Sequence, residues 1–75
     1  MPERQYLILI EGSEETSYSA YAPDLPGCIA TGATREEVER EMRDAIEIHL
    51  DGLLQAGQPI PEPSQLTAAY VTVAA

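Results

Sequence analysis

The chain has 75 residues, 13 acidic and 4 basic side chains and a formal net charge of −9, with no lysine, Phe or Trp and one cysteine. Such a surface repels phosphate backbones, so direct nucleic-acid binding is not expected. A lone cysteine supplies neither an internal disulfide nor a metal cluster, and no apolar run approaches the ~20 residues of a membrane span.

Residues 5–11 read as an aliphatic strand, with Tyr6, Ile8 and Ile10 on one face and Leu7 and Leu9 on the other. Both faces are apolar, as in a central strand covered on each side. A polar connector over 12–15 leads to a second strand, residues 17–22, paired with the first as a hairpin. Pro26-Gly27 suits the two central positions of a type II turn, because proline presets φ at the first and glycine supplies positive φ at the second. Residues 28–31 form a short third strand that Gly32 ends.

Thr34 and Glu37 have the spacing of a capping box, which starts a helix from Arg35 to about Ala56. Val38, Met42, Ala45, Ile46, His49, Leu50 and Leu53 make its apolar stripe, while Glu37, Glu41, Asp44, Glu47 and Asp51 lie opposite. Glu36–Arg40 and Glu39–Arg43 are candidate i,i+4 pairs. Gly57 is placed to close the helix in left-handed geometry. Residues 58–64, with prolines at 59, 61 and 63, form a stiff connector that can carry the chain back along the helix. Residues 69–73 read as a fourth strand, and the whole is one domain.

The fold class is therefore α+β, with one helix on one face of a four-stranded sheet. The helix-free face, including Leu7 and Leu9, needs another cover, so a homo-oligomer or a partner through that face is expected. A chain this short sits near the lower limit for a single core, which points the same way. The charge has two readings, an ordinary acidic surface or a surface steered to a basic protein.

No catalytic, metal or cofactor constellation is expected. His49, the only histidine, falls within the apolar stripe and has no Ser, Cys or carboxylate at triad spacing. Scattered glycines build no phosphate loop. Cys28 reads as a buried small apolar residue of a protein in a reducing compartment. Asp24 either shapes its own turn or contacts a partner.

Tyr21-Ala-Pro-Asp-Leu-Pro-Gly-Cys28, Thr31-Gly-Ala-Thr-Arg-Glu-Glu37, Ala45-Ile-Glu-Ile-His-Leu-Asp-Gly-Leu-Leu54 and Gly57-Gln-Pro-Ile-Pro-Glu-Pro63 together resemble the HicB-type antitoxin family, in order and over nearly the whole chain. The resemblance implies a β-β-β-α-β domain of partial ribonuclease H-like fold, its last strand beside the first. It also implies a cytoplasmic, non-catalytic antitoxin that neutralises a small basic HicA-type, mRNA-cleaving toxin by covering its active site. Ribonuclease H enzymes place metal-binding acids on the first strand; Leu-Ile-Leu-Ile stands there here, so nuclease activity is not expected. Many members carry a C-terminal DNA-binding segment; this sequence stops soon after the fourth strand, so DNA binding is not carried over.

Asp24, Leu25, Glu36, Glu37, Glu41 and Asp44 are the candidate partner contacts, expected to be exposed on or beside the ordered turn. The alternative is an orphan homo-oligomeric module that binds another protein or a small ligand.

Overall fold

Three short strands and a long helix make up the regular structure: β1 Leu9–Ser13, β2 Ser17–Tyr21, β3 Ile29–Gly32 and α1 Arg35–Gln55. The computed structural model describes residues 3–75. The strands form one antiparallel sheet in the order β1-β2-β3. β1 and β2 are joined by a tight turn in which the Thr16 N–H donates to the Ser13 carbonyl at 3.1 Å. Ser17 follows at φ +70, the left-handed residue that ends a three-residue hairpin loop.

Register explains why β1 begins at Leu9 rather than at Gln5. Leu9 stands opposite Tyr21, so carrying the ladder back would set Leu7 against Pro23, which has no N–H to give. The chain instead leaves the sheet at Ala22. This corrects the expectation of a central first strand: β2 occupies the centre and β1 an edge. The expected division of faces holds, because Tyr6, Ile8 and Ile10 pack against the core cluster while Leu7 and Leu9 are not part of it.

Residues 22–28 form two fused turns that share Leu25. Its N–H donates to the Ala22 carbonyl and its own carbonyl accepts from the Cys28 N–H, each at 3.0 Å. The Ala22 N–H closes the loop on the Cys28 carbonyl at 3.3 Å. Gly27 sits at φ +84, the left-handed position of the type II turn expected at Pro26-Gly27. Pinned from both sides, the Leu25 side chain points inward and is fully buried with Ala20, Ala22, Cys28, Val38 and Met42.

Both ends of α1 are set by local chemistry. Thr34 is extended and its hydroxyl accepts the Glu37 N–H at 3.1 Å, the threonine half of the capping box. At the other end Gly57 is at φ +71, with Gly57 N–H on the Leu54 carbonyl and Gln58 N–H on the Leu53 carbonyl. That bond pair is a Schellman closure. The helix rests on β2 and β3 through Val38 and Met42, with Ala45, Ile46 and Leu50 partly buried beside them. Gly32 allows the close approach: a Cβ there would lie 2.7 Å from the Val38 nitrogen. Of the helix arginines, Arg35 pairs with Glu39 at 3.4 Å, in place of the two pairs read from spacing.

The connector 58–64 returns to the opening segment of the chain. The Tyr6 hydroxyl donates to the Pro61 carbonyl at 2.5 Å, and Arg4 lies 3.5 Å from Glu62. Among the described residues the expected fourth strand is absent from the single chain: residues 69–73 have no ladder partner, and Tyr70, Val71 and Val73 are exposed. No strand among the described residues pairs with the outer edge of β1, where that strand was placed.

Candidate functional site

The charged surface is organised by the helical period. Glu37, Glu41, Asp44 and Asp51, with Ile48 among them, recur at steps of four and three residues and line one flank of α1. This flank adjoins β3, because the backbone of Glu37 and Val38 abuts Gly32 at the end of that strand. Arg43 falls on another side of the cylinder, with Glu36, Glu39 and Glu47, while Arg40, one turn from both Glu37 and Asp44, borders the acidic flank. The flank thus runs from Glu37 to Asp51, 14 steps along the helix or about 21 Å at the helical rise.

Such an arrangement costs the isolated chain something. Glu37 and Glu41 are like charges at i,i+4, which destabilises by a few tenths of a kcal/mol (~0.3). Glu36 and Glu37 suit the positive N-terminal end of the helix, but no basic residue complements the last turn. There, Asp51 takes an uncharged partner, accepting from Gln55 Nε2 at 2.9 Å. A cation laid along this flank would relieve the repulsion that Arg40, bordering Glu37 and Asp44, offsets only in part.

A second surface lies on the helix-free side of the sheet. Pairing places Leu9 opposite Tyr21 and Tyr21 opposite Ile29, so the three form a row straight across the strands. Ile29 is 69% exposed and Tyr21 44%. The adjacent row, Glu11, Ser19 and Thr31, is polar, so the apolar patch is confined to the end of the sheet nearest the 22–28 loop. Tyr21 and Ile29 were not anticipated as surface residues of interest; only the register puts them beside Leu9.

The anticipated contacts separate into two groups. Glu36, Glu41 and Asp44 are exposed and Glu37 is half-buried, with Glu37, Glu41 and Asp44 together on the acidic flank. Leu25 contradicts its expected exposure, because the fused turns drive it into the core. Asp24 neither closes its own turn nor stands free. Its carboxylate accepts from the Ser64 N–H at 2.9 Å and from the Ser64 hydroxyl, tying the loop to the connector 40 residues away. These two bonds, the hydroxyl's first, hold the Asp24 carboxyl below its ordinary pKa.

Other titratable groups have structural settings. Burial pushes the Cys28 thiol up. The Tyr6 phenol is raised chiefly by desolvation, against a lowering by Arg4, with Glu62 and Asp24 adding to the rise. His49 is half-buried within α1. Among the described residues, no three His, Cys, Asp or Glu side chains converge as metal ligands, and no helix is long and apolar enough to cross a membrane.

A family model described as the HicB-like antitoxin of bacterial toxin–antitoxin systems matches residues 6–73. The chain is 35% identical over 57 residues to a UPF0150 protein of Synechocystis, covering 76% of this chain and 72% of that one. A UPF0150 protein of Thermoplasma acidophilum is 30% identical over 57 residues, at 76% and 83% coverage. The antitoxin HicB 2 of Photorhabdus laumondii is 34% identical over 62 residues. That alignment takes in 83% of this chain but only 45% of the longer antitoxin.

Proposed function

As a member of the HicB-like antitoxin family, to which this chain belongs, we propose that it is the antitoxin of a toxin–antitoxin pair and neutralises a small basic toxin by covering it. The toxin is of HicA type, an mRNA-cleaving protein whose RNA-binding surface is cationic. Blockade is steric and electrostatic, with no chemistry performed on the partner.

The observation that carries this beyond family membership is the acidic flank of α1, with Glu37, Glu41, Asp44 and Asp51 on one rigid element and only Arg40 bordering them. A row of carboxylates competes for the same basic surface that a nucleic-acid backbone would occupy. Docking releases the like-charge repulsion of the free helix and the field of a strongly acidic protein speeds encounter. Leu25 contributes from inside, by holding the neighbouring loop in place. The apolar row Leu9–Tyr21–Ile29 offers a separate, uncharged surface for the partner.

The test is co-purification with the small basic product of an adjacent gene. Retention at low salt and release near 1 M, where screening is strong, is the expected result. Glu41→Lys with Asp44→Lys abolishes retention and restores RNA cleavage by the toxin. Glu14→Lys with Glu15→Lys, in the exposed hairpin turn, changes net charge equally and leaves both intact. No retention at any salt, or equal loss with either pair, overturns the proposal.

A further inference from the structure

We infer that residues 69–73 are the fourth strand of the sheet in a second copy of this chain, pairing along the outer edge of β1 so that each copy gives and receives one strand. Four observations converge on this exchange, and none depends on the antitoxin assignment.

First, the single chain is too open for its mass. A compact protein of 8.1 kDa exposes about 4,500 Å², whereas this one exposes 6065 Å². Its radius of gyration is 14.3 Å, against about 11 Å for a compact chain of this length. The excess surface is of the order that a stable interface buries.

Second, the arm is built as a strand. Tyr70, Val71, Thr72 and Val73 are aromatic or β-branched, and alternation puts Val71 and Val73 on one side. Tyr70 is fully exposed and Val71 is 81% exposed. Residues 65–75 carry no charged side chain, so this is the part of the molecule that a second copy of charge −9 does not repel.

Third, a matching receptor exists. Residues 3–8 and the helix flank facing away from the acidic stripe border an open cleft of about 870 Å³, whose apolar lining is Tyr6, Ile8, Ile46 and Leu50 and whose remaining lining is charged or polar. Ile8 of its lining runs directly into Leu9 of β1, whose outer edge pairs with no strand among the described residues, so a strand added there gains ladder bonds and turns its two valines toward the cleft.

Fourth, the connector discourages folding back. Pro61 meets Tyr6 and Glu62 meets Arg4, so the connector runs antiparallel to the opening segment. To lie beside β1 of its own chain, the arm would have to reverse between Ser64 and Ala69. Gln65-Leu-Thr-Ala68 contains no Gly, Pro, Asn or Asp to make that turn. Exchange completes the β-β-β-α-β set with the last strand beside the first, but between molecules.

Light scattering on the full chain separated by size should give the mass of two copies. Val71→Pro removes a ladder donor at a site exposed in the single chain and should give the mass of one, with its helical circular dichroism retained. Ile29→Glu, on the helix-free face, should leave the exchanged pair intact. In a mixture of isotope-labelled and unlabelled copies, filtered nuclear Overhauser spectra should connect the Val71 and Val73 methyls to the Ile8 and Ile46 methyls of the other copy. A single-copy mass for the unaltered chain, a pair that survives Val71→Pro, dissociation by Ile29→Glu alone, or those methyl contacts arising only within one chain would each overturn the inference.

Discussion

Adding one methyl group at two different glycines should move stability in opposite directions. At Gly32 the new Cβ would stand 2.7 Å from the Val38 nitrogen, 3.0 Å from the Val38 Cα and 3.1 Å from the Glu37 carbonyl carbon. All three are backbone atoms, so no rotamer change relieves the clash. The first turn of α1 would have to retreat by several tenths of an ångström. It is held by the Thr34 cap and by Val38 and Met42, both fully buried. Overpacking of this kind costs ~1–3 kcal/mol, reduced by ~0.4–1 kcal/mol from the stiffer unfolded chain. A net loss of about 1–2 kcal/mol lowers the Tm of a domain this size by roughly 5–15 °C.

Gly52 is the control. It lies inside α1, and a Cβ there meets nothing within 4 Å. Gly52→Ala should therefore stabilise by ~0.5–1 kcal/mol through helix propensity alone. Thermal unfolding followed by circular dichroism at equal protein concentration reads both variants, which keeps any self-association term common to them. A Gly32→Ala protein as stable as the parent, or shifts of the same sign at both positions, would refute the close approach of helix and strand.

Two further predictions concern titratable groups. Because Ser64 bonds the charged Asp24 carboxylate and lowers its pKa, the stability from this tether is present above the unfolded value of ~3.9. It is lost as pH falls through the lower folded value. The Ser64 amide proton shift should titrate with a midpoint below that of an ordinary aspartate, and lose this step in Asp24→Ala; a midpoint at or above the ordinary value contradicts the tether. Cys28, buried and with its thiol raised, should react with an aromatic disulfide reagent far more slowly in the native protein than in denaturant. Equal rates would show that the 22–28 loop is open.

Short-range chemistry makes much of this molecule legible in its residue order alone. The Pro26-Gly27 turn, the Thr34 cap, the Gly57 closure and the apolar stripe of α1 each depend on sterics or hydrogen bonds within a few residues, so residue type and spacing suffice. The acidic flank is equally legible, since a helix of known start places Glu37, Glu41 and Asp44 together. Tertiary structure alone decided the rest, because those features join distant parts of the chain. Leu25 is polar-turn material by its neighbours, yet two fused turns aim it into the core. Asp24 finds its partner at Ser64, 40 residues on. Pro23 denies the opening segment a ladder partner in β2, so β1 begins only at Leu9. Residues 69–73 have the composition of a strand, but composition cannot say whose sheet a strand joins; that depends on which unpaired edge the chain can reach.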